Sequence, residues 1–249
     1  MKKSTENYIL LSLLLILASG VFYYIHFLLF HDAHHIFIYL VGDIAFVPIE
    51  VLLVTLIIHK LLEEREKRAM LNKLNMVIGA FFSEVGTELL KSFRYFEKDS
   101  EGLGEQLDID NKWTAEQFDE VGARLRQTDI EVDADRGDLV KLKELLTGKR
   151  DFMVRLLENP NLLEHESFTD MLWGIFHLGD ELASRKDLGE LYPADSKHLS
   201  GDIKRAYNRL IDQWVSHMEH LKLNYPYLFS LAVRRNPFNK HARVEVTSS

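Results

Sequence analysis

The pattern of hydrophobic and polar residues divides the chain into an apolar N-terminal part and a densely charged remainder. Residues 8–30 and 36–58 are almost continuously apolar, and each run is 23 residues long. At a rise of about 1.5 Å per residue, a helix of this length spans roughly the 30 Å hydrocarbon core of a bilayer. Because the backbone must satisfy its own hydrogen bonds there, both runs are predicted to be transmembrane helices.

A cleaved signal peptide is the main alternative for the first run. Lys2 and Lys3 would be its basic start, and Ala18-Ser19-Gly20 would be the cleavage site. The apolar stretch nevertheless continues to Phe30, and a second apolar run follows at once. Signal peptides have shorter apolar regions, so we predict an uncleaved helix.

The orientation of the two helices follows from the basic residues in their short flanks. The loop 31–35 contains no Lys or Arg, whereas basic residues lie outside both runs, at Lys2, Lys3, Lys60, Arg65, Lys67, Arg68 and Lys73. Since such residues stay on the cytoplasmic side, the sequence predicts a multi-pass protein of the cell membrane with both termini in the cytoplasm.

Residues 59–98 are predicted to continue the second helix beyond the membrane. No Gly or Pro interrupts 59–78, and apolar residues recur at steps of three and four, at Leu71, Leu74, Ile78, Phe81 and Val85. This coiled-coil-like stripe has two interpretations. It packs on its own domain, or it pairs with other copies and makes the protein a homo-oligomer.

The remaining residues predict further helices and no strands. The segment 99–110 is acidic and glycine-rich, which is typical of a loop or a mobile linker. Thr114 and Gln117 fit a capping box at the start of a helix. Helical patterns then cover 139–146, 151–157, 168–185, about 200–223, and a short helix from Pro226 that ends at Asn236-Pro237. We therefore predict an all-α fold with a hairpin at 1–58, the juxtamembrane helix at 59–98, a cytoplasmic helical domain at 99–236 and a flexible tail at 237–249.

Charge and composition narrow the classes of partner. The net charge is -8 and the chain has no cysteine, which excludes disulfides, thiolate metal sites and thiol catalysis. Residues 99–138 carry thirteen acidic and four basic side chains, whereas 201–249 carry eight basic and four acidic ones. This distribution argues against nucleic-acid binding, and it favours contact of the basic tail with anionic lipid.

Asp43 and Glu50 are the sharpest functional feature of the sequence. Seven helical residues bring both carboxyls to one face, about 10 Å apart along the axis. Acids at this depth are costly unless they are paired or hydrated. Three interpretations remain: rings of carboxylates that conduct cations in an oligomer, acids paired with His26 to hold helices together, or a proton relay of His26, Asp43 and Glu50.

The architecture resembles the pore of mitochondrial calcium uniporters, which also have two spans, a minimal outer loop and acids early in the second span. Asp43-Ile44 followed by Pro48 is similar to their Trp-Asp-Ile-Met-Glu-Pro signature. The sequence departs from that signature because no Trp precedes Asp43, the two acids are seven rather than three residues apart, and Pro48 precedes Glu50. The resemblance implies a cation path.

Histidines supply further candidate metal ligands. His31, His34 and His35 lie together in the outer loop, where they are candidates for metal binding or pH sensing. In the soluble part, His177 and Glu181 share one helical face and His217 and His220 share another, as in metal sites of helical bundles. Each of these groups also has an ordinary explanation, as loop polarity or as a hydrogen-bonded core histidine.

The leading hypothesis is a homo-oligomeric membrane protein that conducts or transports cations along Asp43 and Glu50. The alternative is a membrane-anchored scaffold or signalling protein whose cytoplasmic domain binds a protein partner. No phosphate-binding loop, dinucleotide fingerprint or catalytic triad spacing occurs, so no enzyme activity is predicted. The lipid bilayer is the expected partner, no cofactor is required, and a divalent cation is the candidate ligand.

Overall fold

The computed structural model describes residues 2–160, 162 and 165–245. These residues fall into two compact units, Met1–Lys67 and Arg68–Ser249. Across the described ranges the protein is helical, and its β structure is limited to an isolated bridge between Glu97 and Val132. The predicted all-α class is confirmed.

The first unit contains the two apolar helices that the sequence predicts. Helix α1 spans Lys2–Phe30, and α2 begins at Ala33 and ends at Phe81. Between them the Asp32 carboxylate caps α2 by accepting from the backbone N–H groups of His34 (2.9 Å) and His35 (3.3 Å). By length and composition both helices could cross a membrane, and their most apolar windows are not buried inside the chain.

The second unit starts in α2 and continues through a series of shorter helices. A π-helical turn, Phe82–Gly86, joins α2 to the next helix, and Ala134–Arg136 forms a 3₁₀ turn. The α-helices of this unit after α2 are α3 (Thr87–Arg94), α4 (Ser100–Gln106), α5 (Ala115–Leu125), α6 (Leu139–Gly148), α7 (Arg150–Leu157), α8 (Glu166–Ser184), α9 (Pro193–Asn224) and α10 (Pro226–Arg234).

Helix α9 is the centre of the second unit. It packs against α8, α5, α10 and α3, and most of its apolar residues are buried. At its middle, the buried Tyr207 hydroxyl donates a hydrogen bond to the carboxylate of Glu97. Burial raises the pKa of Glu97. The hydrogen bond connects α9 to the segment after α3 by a polar contact inside an apolar core.

The apolar stripe of the juxtamembrane segment is part of this core. Its buried members are Leu74, Ile78, Phe81, Val85, Leu89, Phe93 and Phe96. Leu71, nearer the first unit, remains exposed. Of the two interpretations of the stripe, the structure shows packing on the chain's own domain. The division between the two compact units falls after Lys67, within the predicted 59–98 segment.

The prediction of a loop or mobile linker at 99–110 is wrong. Helix α4 forms there because the Asp99 carboxylate accepts from the N–H of Gly102 (3.3 Å), which caps the helix. Leu103 and Leu107, four residues apart, are both buried in the core. Two leucines among acids and glycines are a weak sequence pattern, but they are enough to anchor one helical turn.

Two further boundaries differ from the predictions. Helix α9 starts at Pro193 instead of about Ser200, because a proline is well accommodated in the first turn of a helix. The predicted tail at 237–249 is packed at its start: Phe238 is 2% exposed and its ring lies 5.0 Å from that of Trp214. Residues 246–249 of that tail lie outside the described residues.

The local signals at two helix starts are confirmed. The Thr114 N–H donates to Gln117 Oε1 (2.8 Å), and the Gln117 N–H donates to Thr114 Oγ1 (3.4 Å), so the capping box is complete. Pro226 is the first residue of α10. Both signals depend only on neighbouring residues, which is why the sequence predicts them correctly.

Candidate metal centre

Two pairs of side chains face each other where α8 packs against α9. His177 and Glu181 are one turn apart on α8, and His198 and Asp202 are one turn apart on α9. Residues four apart lie on the same face of a helix, so each helix presents one imidazole and one carboxylate. The packing of the two helices brings the two pairs into a single four-residue cluster.

The potential ligand atoms of this cluster converge closely. His198 Nε2 lies 3.2 Å from Asp202 Oδ2 and 3.6 Å from Glu181 Oε2. His177 Nε2 lies 3.5 Å from the same Asp202 oxygen and 3.9 Å from Glu181 Oε1. Each imidazole therefore approaches both carboxylates, and Asp202 Oδ2 is shared between the two rings.

Two arginines orient the carboxylates. Arg185 Nη1 donates to Glu181 Oε2 (2.7 Å), and Arg205 Nη1 donates to Asp202 Oδ1 (2.8 Å). The hydrogen bond from Arg185 lowers the pKa of Glu181, so this carboxyl is ionised at neutral pH. Because each arginine takes one oxygen, Glu181 Oε1 and Asp202 Oδ2 remain without an arginine partner.

Asp202 differs from the other three residues in its burial. Its side chain is only 2% exposed, and its buried Oδ2 accepts no hydrogen bond within the described part of the chain. His177 and His198 are about half exposed, so the cluster opens to the surface on the imidazole side. A buried carboxylate oxygen is costly unless an ion or a donor compensates it.

The separations in the cluster match the coordination shell of a transition metal. Metal–nitrogen and metal–oxygen bonds of about 2.0–2.2 Å place tetrahedral ligands about 3.4 Å apart. The two N···O distances from His198, 3.2 Å to Asp202 and 3.6 Å to Glu181, bracket this value. Among the described residues, Glu181, His198 and Asp202 form the one group of three or more such ligands whose atoms all lie within 4.8 Å of one another.

The sequence predicts half of this cluster. His177 and Glu181 are among the predicted metal ligands, whereas His198 and Asp202 are not. The same four-residue spacing was present at His198 and Asp202. The sequence does not predict this second pair, because the predicted start of α9 leaves His198 outside the helix. In addition, no local pattern indicates which helix packs against α8.

The second predicted pair, His217 and His220, does not converge on a carboxylate. His217 is 9% exposed, and its ring stacks on Phe82 with 5.0 Å between ring centroids. Burial and, to a lesser degree, the neighbouring His220 lower the pKa of His217 to about 4, so this imidazole is neutral. The Nδ1 atom of His220 lies 3.2 Å from the Asn224 side-chain amide.

Two of the predicted histidine ligands at the junction of α1 and α2 contact aromatic rings, and the three do not form a metal site among the described residues. The His35 ring stacks on His26 with centroids 5.8 Å apart, and it also contacts Tyr39. His31 packs on Phe27, and Asp32 is used as a helix cap. Among the described residues, His31, His34 and His35 do not gather into a ligand cluster.

The predicted ion path occupies one exposed face of α2. Asp43 and Glu50 are both exposed, on either side of Pro48, which α2 accommodates without ending. Within the described part of the chain, no ion pair joins His26 to either acid, and His26 stacks on His35 instead. The cation path and the proton relay remain predictions.

Comparison with known proteins identifies a family. A profile described as "Uncharacterized protein MJ1433, C-terminal helical domain" matches residues 70–234, and one described as "MJ1433, N-terminal helical domain" matches residues 2–62. A protein of Methanocaldococcus jannaschii printed as "Uncharacterized protein MJ1433" is 48% identical over 238 residues, which is 95% of this chain and 96% of that protein. The chain belongs to the MJ1433 family. No solved structure matches the chain.

The two MJ1433 profiles divide the chain where the structure does. The gap between them, at residues 63–69, contains the boundary between the two compact units. All four residues of the candidate metal cluster lie within the C-terminal helical domain of the MJ1433 family.

Proposed function

We propose that this member of the MJ1433 family is a membrane-anchored protein whose C-terminal helical domain binds a divalent transition-metal ion. The proposed ligands are Glu181, His198 and Asp202, whose ligand atoms converge, with His177, 3.5 Å from Asp202 Oδ2, as the fourth. The observation that carries the proposal is the buried Asp202 Oδ2, which accepts no hydrogen bond from the described residues and lies 3.2 Å and 3.5 Å from two imidazole Nε2 atoms.

Ion pairing alone accounts less well for this arrangement. Arg185 is shared between Glu181 and Asp195, and Arg205 contacts Asp202, so two arginines leave one of three carboxylate charges uncompensated. Two imidazoles that both direct Nε2 at one carboxylate oxygen present convergent lone pairs when each ring carries its proton on Nδ1. The arginines then act as outer-shell groups that orient the ligating carboxylates.

The ligand set favours some metals over others. Two nitrogen and two oxygen ligands suit zinc, iron, nickel or copper better than calcium or magnesium, which prefer oxygen alone. Zinc is the appropriate first probe, because it takes histidine and carboxylate ligands in tetrahedral geometry.

Membrane anchoring rests on α1 and the first half of α2. Their apolar side chains are exposed along both helices, as in Leu17 and Phe22, and a bilayer would remove this apolar surface from water. The basic flanks favour an orientation in which the helical domain is cytoplasmic. This is the membrane-anchored alternative predicted from the sequence, with a metal ion as the ligand of the cytoplasmic domain.

Zinc binding is expected to stabilise the folded protein. At a free zinc concentration about 100-fold above Kd, binding to the folded state adds about 2.7 kcal/mol. For a domain of this size we expect Tm to rise by about 5–10 °C. The measurement is thermal unfolding of the full chain in lipid nanodiscs, with isothermal titration calorimetry to determine a stoichiometry of one ion per chain.

Magnesium chloride at the same concentration is the control, and it should leave Tm unchanged. An excess of chelator should reverse the effect of zinc. If calorimetry shows no saturable zinc binding and Tm does not change, the cluster is an ion-pair network and the proposed function is wrong.

Cation conduction along α2 is the second candidate function. It is favoured by two exposed carboxylates on one face of a continuous helix, in a segment that is otherwise apolar. Carboxylates repeated around an axis in an oligomer attract and partly dehydrate cations. This candidate requires a homo-oligomer, because one copy supplies only two apolar helices.

Glu50→Gln is expected to abolish most of such flux. The amide keeps the size of the side chain and removes the negative charge, which at this depth interacts strongly with a passing cation. The measurement is divalent-cation uptake into proteoliposomes that contain the full chain. Glu63→Gln, beyond the apolar run of the same helix, is the matched control. Flux that survives Glu50→Gln would exclude this path.

A further inference from the structure

A large apolar cavity lies in the second unit, away from the metal cluster. It has a volume of about 480 Å³ and is formed by the end of α2, the π-helical turn, α9 and α10. Ligand cavities in proteins have volumes of about 300–1,000 Å³ and are mostly apolar with a few polar groups. This cavity has both properties.

The π-helical turn shapes one wall of the cavity. Phe82 and Ser83 line the cavity together with Thr87, and the Thr87 side chain donates back to the Phe82 carbonyl (2.8 Å). On the inner side, the Phe82 ring approaches Gly86 so closely that a Cβ there would lie 2.5 Å from it. Such turns interrupt the regular helix and are frequent at functional sites.

One wall carries a polar group that the fold leaves unsatisfied. His217 lines the cavity, is about nine-tenths buried, and its Nδ1 has no hydrogen-bond partner. Within the described residues its ring makes no hydrogen bond, although a neutral imidazole has one donor and one acceptor. A buried ring in this state is a candidate for a hydrogen bond with a bound molecule.

The charged residue in the cavity lining is basic, which favours an anionic ligand. Arg235 lies at the cavity and forms no ion pair in the described part of the chain, and no Asp or Glu lines the cavity. An acid-free lining is notable in a chain of net charge -8. An unpaired guanidinium beside an apolar cavity suits an amphiphile with an anionic head.

The rim of the cavity is apolar as well. Met76 is 72% exposed, and Tyr225 and Leu228 on the opposite side are also exposed. Their exposed side chains would be covered by the part of a long hydrocarbon chain that extends out of the cavity. We propose that this cavity binds one hydrocarbon chain of an anionic amphiphile, with Arg235 at the head group and His217 inside. This proposal is independent of the metal site.

Trp214 makes the proposal directly measurable, because it lines the cavity and is almost fully buried. The other tryptophans, Trp113 and Trp173, are changed to phenylalanine so that Trp214 alone reports. The full chain is placed in phosphatidylcholine nanodiscs and titrated with dibromostearate, whose bromines quench tryptophan on contact. We expect saturable quenching, and an apparent Kd about tenfold higher for the uncharged methyl ester or for Arg235→Gln.

Gly79→Leu tests whether the probe occupies the cavity. A Cβ at Gly79 meets only His217 Cε1, at 3.6 Å, so a larger side chain enters the cavity without a backbone clash. We expect the apparent Kd to rise about tenfold or more, since the added side chain takes the space of several methylene groups. Gly148→Leu, with open space around its Cβ, is the matched control and should bind as the parent does.

A second experiment distinguishes the two sources of the ligand, a membrane lipid and a free fatty acid. Nanodiscs that contain dibromo-phosphatidylglycerol report a membrane lipid chain, whereas quenching by dibromostearate alone indicates a free fatty acid. Tm and the near-ultraviolet circular dichroism spectrum verify that Gly79→Leu is folded, and the exchange of Arg235 for Gln leaves the cavity wall intact. Quenching that never saturates with either probe, or that is equal in the parent and Gly79→Leu, would overturn the proposal.

Discussion

The Asp202→Asn variant is expected to lose zinc binding, with an apparent Kd raised about 100-fold or more. Loss of outer-shell groups alone costs metal sites about 10–100-fold, and Asp202 supplies the most buried oxygen of the cluster. Asparagine keeps the shape of the side chain and can still accept from Arg205, but it carries no charge. The measurement is calorimetric titration of the full chain with zinc chloride.

A matched control lies between the same two helices. Asp170 on α8 pairs with Arg209 on α9 at 3.7 Å, in an exposed position outside the cluster. Asp170→Asn should bind zinc as the wild type does. An ion-pair network without metal predicts the opposite pattern: both variants lower Tm and zinc affects neither of them. Equal zinc affinity of Asp202→Asn and the wild type would exclude Asp202 as a ligand.

The Gly137→Ala variant is expected to destabilise the second unit by about 3 kcal/mol, at the upper end of typical overpacking costs. A Cβ at this position would lie 2.4–2.5 Å from three atoms of the Phe96 ring. Phe96 is 0% exposed, so its ring has no free volume into which it can move. The backbone of Gly137 is in the extended region, so steric contact alone explains the requirement for glycine.

This change should lower Tm by about 6–12 °C for a domain of this size, measured by circular dichroism in nanodiscs. Gly148→Ala provides the control, since a Cβ there meets nothing within 4 Å. We expect the Tm of that variant to stay close to that of the wild type. If Gly137→Ala has the wild-type Tm, Phe96 is less tightly packed than the structure indicates.

The predictions that succeeded depend on neighbouring residues. The apolar runs, the capping box at Thr114 and the proline at the start of α10 each act over one or two turns, and all are found in the structure. The prediction at 99–110 is wrong because it rests on the acidic and glycine-rich composition of the segment. Tertiary packing buries Leu103 and Leu107, and this burial stabilises α4. The late start predicted for α9 is wrong because Pro193 belongs to the first turn of the helix.

At the candidate metal site, the pair within one helix is predictable from the sequence, whereas the contact between two helices is not. His177 and Glu181 were recognisable from their spacing on α8. His198 and Asp202 became their partners because α9 packs along α8 at this register, about twenty residues further along the chain. A register between two helices depends on all the side chains in their interface, so no pair spacing reveals it.

By itself, the sequence determined the helical class, the two long apolar helices and the positions of most helix ends. These properties follow from periodicity and from capping, which are local. Only the tertiary structure decided that the stripe from Leu74 to Phe96 is core and that Glu181 and His198 converge with Asp202. It also decided that a cavity lies beside His217, because each of these features requires chain segments far apart in sequence to pack together.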